Sequence, residues 1–281
     1  MNDAGNDARF CREHAFAGNP LYRVTSILAP QKRRRLTALH ALFDLLQRSG
    51  RLAQEEGAAR AQLAWWREEC LAADPRHSHH PALRELHHGG GGRLDRGAFA
   101  DLVEQIELRL EQPAIPDVKT LRDFCVAQGR PYLALETALW QDEATETGPE
   151  GTLAARRGFW SLLTDCFQTG ESPVAWWAPL DLLAREGLQR SQVFEPDRAA
   201  QTARVLAAIF SAEGFVFAGT DDISVIKQEH EHIHLMDFLI GRKQLRLSSA
   251  TPTDFARELA RVRPREFLTA WSLARRFSRR R

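Results

Sequence analysis

The sequence predicts an all-α protein folded as one domain. Three observations carry that expectation. Apolar residues recur every three or four positions in one segment after another, the spacing that builds one buried helical face. Strand-like alternation is confined to a single short run, KQLRLSS at 243–249. No repeat, low-complexity tract or long linker divides the 281 residues, a length that suits either one large helical domain or two smaller ones.

Taken in chain order, the opening MNDAGNDARF carries acids and no apolar core, so it does not read as a secretory signal. Residues 31–48 form the first clear helix, with Ala38, Leu39, Leu42, Leu45 and Leu46 on its apolar side. Asp44 and Arg48 lie one turn apart near its end, with Gln47 and Arg51 on neighbouring turns. A second helix is expected over 51–73, carrying Trp65 and Trp66. The stretch ADPRHSHHPALRELHHGGGG then reads as a loop around a short helix. Periodicity resumes over 96–112 and stops at Pro113 and Pro116. The long apolar segment DVKTLRDFCVAQGRPYLALETALWQ contains Pro131, which predicts a kink or a short break there. A polar turn, DEATETGPEG, precedes a helix over 151–170 and the irregular ESPVAWWAPLDLLAREGL. Further helical segments fall near 197–217, 222–240, 252–261 and 264–279.

The charge balance is nearly even, with 38 basic and 37 acidic residues, and gives no reason to expect nucleic acid as a partner. Only Lys32, Lys119, Lys227 and Lys243 among the basic residues are lysines. Such a uniform arginine excess reflects coding bias more often than a binding surface. The four cysteines (Cys11, Cys70, Cys125 and Cys166) are widely spaced beside apolar residues, which favours free thiols in a reducing cytoplasm. No run approaches the roughly 20 apolar residues of a membrane-spanning helix. The expected protein is therefore cytoplasmic, with peripheral membrane contact through the basic ending RRFSRRR (275–281) as its one route to a bilayer.

Three motifs invite chemistry and have plainer readings. The histidines at 77, 79, 80, 87 and 88 look like metal ligands, yet they sit beside four glycines with no cysteine or carboxylate at fixed spacing, and read as a solvated loop. HEHIH (230–234) matches H-E-x-x-H, so His230, Glu231 and His234 could serve a zinc peptidase, with Glu258 as a third ligand. Its polar surroundings suit an exposed helical turn better. Asp221 and Asp222 follow Thr220 as a helix cap and an acidic first turn.

Set in order, several stretches resemble the squalene/phytoene synthase family, an all-α branch of the isoprenoid synthase fold. NPLYRVTSILAPQKRRRLTALHALFDLLQRSG resembles the family's opening, whose helix reads ALYAFCR..DD..D. AWWREEC followed by HPALREL, then FADLVEQIELRL, LRDFCVAQGRPYLALE and WWAPLDLLAREGL resemble successive later passages. The resemblance is clearest over residues 15–190, and 190–281 matches only as helices. It implies one domain over 1–281, a helical bundle around a central cavity. In the family, two aspartate-rich helices hold magnesium against a prenyl diphosphate.

This chain departs from the pattern at those acids. The first pair falls on Gln47 and Arg48 and the third acid on Arg51; at the second motif Asp165 matches one acid, but the residue four later is Thr169. Asp44, Glu107 and Glu136 restore no pair one turn apart. Two like unit charges about 5 Å apart repel by about 3 kcal/mol at an effective dielectric near 20, so arginines at these places oppose a metal cation. The expectation is a non-catalytic member without a cofactor, a scaffold or a binder of an isoprenoid, a lipid or a partner protein. The branch that includes the mitochondrial complex I assembly factor of this fold is the nearer likeness, through VAQGRPYLALE. Arg48 and Arg51, with Arg23, are the candidates to hold an anionic head group directly. The alternative is an active prenyl diphosphate transferase using magnesium, with Asp44, Asp165 and Glu136 as relocated acids.

Overall fold

A computed structural model of the chain describes residues 3–18, 30–52, 56–71, 78–88, 95–139, 150–166, 174–212 and 215. These form nine α-helices and two short 3-10 helices, with no strand among the described residues. Arg23, Thr169, Asp221–Asp222, HEHIH, Glu258, KQLRLSS, the helices expected beyond 215 and RRFSRRR lie outside the described residues, as do the side chains of Arg51 and His88.

The chain divides into two compact units. The first takes in α1 (Asp3–Gly18), α2 (Pro30–Leu52), α3 (Glu56–Leu71), α4 (Pro81–His88), α5 (Arg96–Leu110) and the end of α6. The second holds the start of α6 (Val118–Ala138), α7 (Glu150–Cys166), α8 (Leu180–Glu186), the 3-10 turns Arg190–Gln192 and Pro196–Arg198, and α9 (Ala199–Ser211). The boundary falls inside α6, between Arg130 and Pro131.

In the first unit α2 is the hub, packed against α1, α3, α4 and α5. Of the face its spacing predicts, Ala38, Leu39, Leu42 and Leu46 are fully buried and Leu45 is half-buried, while Leu36 joins the core; each fully buried leucine stabilises by roughly 2 kcal/mol. Leu63 and Trp66 from α3 and Phe99, Leu102 and Val103 from α5 complete this core. The helix starts have local causes. Asp95 accepts from the Ala98 N–H at 3.1 Å to cap α5, and Asp117 accepts from the Thr120 N–H at 2.7 Å to cap α6.

Sequence periodicity missed α1. Its buried positions are Asp7, Cys11 and Ala15, so the face has helical spacing but no large apolar residue to announce it. Burial, with Glu85 and Asp7 nearby, pushes the Cys11 thiol up to about 12, leaving it inert as a nucleophile. All four cysteines are free and buried.

Around α4 the expectation of a solvated histidine loop is corrected at His80, whereas His79 is exposed and His77 lies outside the described residues. His80 immediately precedes the helix and accepts the Ala82 N–H on Nδ1 at 3.2 Å, an N-cap made by an imidazole. Its ring lies 4.6 Å from that of Trp66 and edge-on to Phe10 at 5.5 Å. Glu69 accepts from the Ser78 hydroxyl at 2.6 Å and from the His79 N–H at 2.9 Å, so the turn is fastened to α3. Composition suggested solvation; packing against tryptophan and the capping need of Pro81–His88 decide otherwise.

α6 runs through Pro131 without the break its sequence predicts. Proline forfeits one helical hydrogen bond at a cost of about 3 kcal/mol. Burial of Tyr132 and Leu135 just beyond it offsets a loss of that size.

The second unit is organised by a close helix crossing. A Cβ placed on Gly129 of α6 would lie 1.9 Å from the Ala154 carbonyl oxygen of α7, and one on Gly158 of α7 would lie 2.0 Å from the Cys125 carbonyl oxygen of α6. The small residues at 125 and 129 thus face those at 154 and 158, and backbone meets backbone. Phe159 stacks edge-on against Trp177, Phe210 and Phe215. α8 ends on Gly187, whose φ of 64° permits the left-handed cap that sends the Leu188 N–H back to the Leu183 carbonyl.

Candidate functional site

The polar side of α2 carries His40, Asp44, Gln47 and Arg48, positions 0, 4, 7 and 8 along one helical stripe. A polar stripe inside an apolar hub needs partners, because a buried charge without one is costly. Each residue has one. His40 Nε2 lies 3.4 Å from Glu136 Oε1 of α6, both side chains being 1% exposed. Gln47 donates from Nε2 to the Tyr132 hydroxyl at 2.9 Å. Phe43 holds the Tyr132 ring edge-on at 4.7 Å and the His40 ring at 5.3 Å, which fixes the orientation of both.

Asp44 is the centre of the cluster. Its side chain is 3% exposed, and Oδ2 lies 2.8 Å from Arg48 Nε in an ion pair, the one-turn pair that the sequence spacing allows. His14 of α1 brings Nδ1 to 3.8 Å of the same oxygen. The His14 ring rests 4.2 Å from Phe10, which leads on to His80. Burial, and then the nearby His14 and Arg84, lowers His80 to about 4, so it is neutral at ordinary pH. Trp66 closes the circuit, donating from Nε1 to the Ser49 hydroxyl at 3.0 Å.

Two further buried acids pin the helices around this cluster. Asp7 of α1 takes a forked pair of bonds from Arg84 of α4, at 2.7 and 2.9 Å, and Arg84 also donates to the Ser78 and His79 carbonyls. Glu85 of α4 takes the same fork from Arg34 of α2, with Nη2 at 2.8 Å from Oε2. Forked arginine–carboxylate pairs fix direction as well as distance.

In the second unit, α7 carries its own polar stripe. Arg156, Arg157, Ser161 and Thr164 are buried along it, and Asp165 is half-buried at its end. The Thr164 hydroxyl is spent on its own helix, donating to the Trp160 and Ser161 carbonyls. The Trp160 indole N–H is buried without a hydrogen-bond partner among the described residues.

The structure thus brings Asp44 and Arg48 together, sets Gln47 beside Tyr132, and gives Glu136 to His40 in the first unit. Asp165 belongs to the second unit. Asp44 is the only carboxylate on α2, while Glu150 and Asp165 on α7 stand fifteen positions apart, so neither helix has acids one turn apart. Among the described residues no three His, Cys, Asp or Glu side chains converge as a metal site. Nor is any helix there long and apolar enough to cross a membrane.

Sequence reading missed His14, His40 and Tyr132. His40 carried a usable signal, since it is the one polar residue at a core position between Leu39 and Leu42. His14 and Tyr132 gave none, because their partners come from other helices. Compared with known proteins, the chain matches the family model described as squalene/phytoene synthase over residues 17–214. No curated protein matches it.

Proposed function

The chain belongs to the squalene/phytoene synthase family, and from that premise we propose that it uses the family's helical scaffold for binding, without magnesium-assisted prenyl transfer. One observation carries the reading: Arg48, which stands where the family pattern has an acid, is ion-paired to Asp44 at 2.8 Å. In the pattern ALYAFCR..DD..D an arginine stands four residues before the second acid of the pair. Here those two places hold Asp44 and Arg48. The signs of the two charges are exchanged.

That exchange changes what the helix can hold. The family's magnesium needs oxygen donors from carboxylates. The donors on this α2 amount to one carboxylate, buried and engaged by a guanidinium, and Gln47, whose amide donates to Tyr132. These donors of α2 do not fit the metal. Arg48 fits an anion, which a guanidinium binds directly through charged hydrogen bonds. The reading is therefore a non-catalytic member that takes the anionic head group of an isoprenoid or lipid at Arg48, with Arg51 and Arg23 as further cations. Such a role is akin to that of scaffold and assembly factors of this fold.

Two measurements test it together. Purified protein given farnesyl diphosphate, magnesium and a nicotinamide reductant should release no diphosphate above a boiled control. Release that is lost in Asp165→Asn would refute the reading in favour of a transferase with relocated acids. Farnesyl diphosphate should bind without magnesium, and Arg48→Ala with Arg51→Ala should abolish that binding.

A further inference from the structure

One side of α3 carries Ala59, Leu63, Trp66 and Cys70 into the core. The opposite side is also largely apolar, yet it faces solvent: Ala58, Ala61, Ala64, Trp65 and Leu71 are all exposed there. Trp65 is 42% exposed and Leu71 36%, although both are large apolar side chains. Gly57, Ala61, Ala64, Glu68 and Leu71 follow one another at steps of four and three, the spacing of a seam between two helices. The Trp65 ring rests edge-on against Trp66 at 4.9 Å, which orients it in advance and lowers the entropic cost of docking it.

We propose that this face joins α3 to the α3 of a second copy of the chain, antiparallel, about a two-fold axis at Ala64. The helix is its own complement when read backwards from that residue. Arg60 and Glu68 are both exposed and stand four positions either side of Ala64, so Arg60 of each copy meets Glu68 of the other. Gly57 and Leu71 stand seven positions either side, so each leucine lies over a residue with no side chain. Alanine at the axis lets the two backbones approach, and the two Trp65 rings, one position beyond it, meet across it. A contact of this kind uses the same patch on both copies and closes as a dimer. A rigid tryptophan near its centre is the residue type that carries most binding energy at protein interfaces.

The charges around the patch favour this occupant over a lipid surface. α5, packed beside α3, turns Asp101 and Glu104 to solvent, and with Glu68 these acids repel an anionic bilayer. Opposite charges at equal distances from Ala64 are what a second copy requires and what no other partner needs. α3 has 16 residues, a length of about 24 Å, so the pair forms a small interface and the dimer exchanges with monomer at micromolar concentrations. The contact uses no group of α2 and stands whatever that helix binds.

Sedimentation velocity of the full chain from about 1 to about 300 micromolar should show monomer passing into dimer as concentration rises. Trp65→Ala should weaken the dimer by about tenfold or more, with circular dichroism unchanged because the side chain is exposed. Arg60→Glu and Glu68→Arg should each sediment as monomer when alone, since like charges then meet twice across the axis. Mixing those two variants should restore a dimer that holds one copy of each. A chain that stays monomeric throughout the range overturns the proposal, and so does a dimer indifferent to Trp65→Ala or a mixture that does not associate. Monomer that instead floats with phosphatidylcholine vesicles, and no longer does so as Trp65→Ala, overturns it in favour of a lipid surface.

Discussion

Replacing Gly129 or Gly158 by alanine sets two effects of opposite sign against each other, and the α6–α7 crossing decides between them. Alanine is the better helix former by about 1 kcal/mol. At Gly129, however, the new methyl carbon would stand 1.9 Å from a backbone oxygen, where contacts under 3.0 Å are essentially never seen. A neighbouring side chain could rotate away from such a contact, but a helix carbonyl cannot, so α6 and α7 must part by about an ångström. Overpacking of this kind costs about 3 kcal/mol, and the net loss should be about 2 kcal/mol for either substitution. For a domain of this size that lowers Tm by roughly 4–8 °C. The pair should be strongly non-additive, because separating the helices for one methyl makes room for the other. Gly57→Ala in α3 is the internal control: a Cβ there meets nothing within 4 Å, so it should be neutral or slightly stabilising. Urea and thermal unfolding followed by circular dichroism compare the four variants with the parent. Gly129→Ala as stable as the parent, or double-mutant losses that simply add, would refute the crossing.

Glu136→Ala should destabilise the fold by about 3 kcal/mol, because it leaves His40 enclosed without its acid. His40→Leu combined with Glu136→Leu should recover most of that loss in urea unfolding. His80 makes an acid-sensitive contribution. Its folded value of about 4 lies below the ordinary 6.5, so the unfolded chain binds more protons between the two. Stability from this residue is full above about pH 6.5 and is lost as pH falls toward 4, by about 2–3 kcal/mol. His80→Asn, which keeps a capping oxygen but does not titrate, should flatten that part of the stability curve.

The sequence made the helices of the hub legible because α2 and α5 bury large side chains at regular spacing. α1 was illegible for the opposite reason, since its buried face is Asp7, Cys11 and Ala15. Within the site, the Asp44–Arg48 pair is one turn apart and could be read directly. The partners that give it meaning could not: Glu136 stands 96 positions from His40, and His14 reaches Asp44 from a separate helix. Local composition misled at His80, where glycines and histidines suggested solvent and the tryptophans of α3 provide a wall. The break that Pro131 suggested does not occur, as its cost to the helix is outweighed by what the next turn buries.

Two of the buried acids of the first unit, Asp7 and Glu85, also act as an address system for its helices. Leucine faces alone allow neighbouring helices to slide or rotate against one another at modest cost, since one apolar contact replaces another. Asp7 and Glu85 remove that tolerance, because each takes its guanidinium from a neighbouring helix, Arg84 of α4 and Arg34 of α2, in one alignment only. A slip of α1, α2 or α4 by a single turn would strand a carboxylate in apolar surroundings, a penalty of about 3–5 kcal/mol. These two interhelical forks therefore give α1, α2 and α4 a single register.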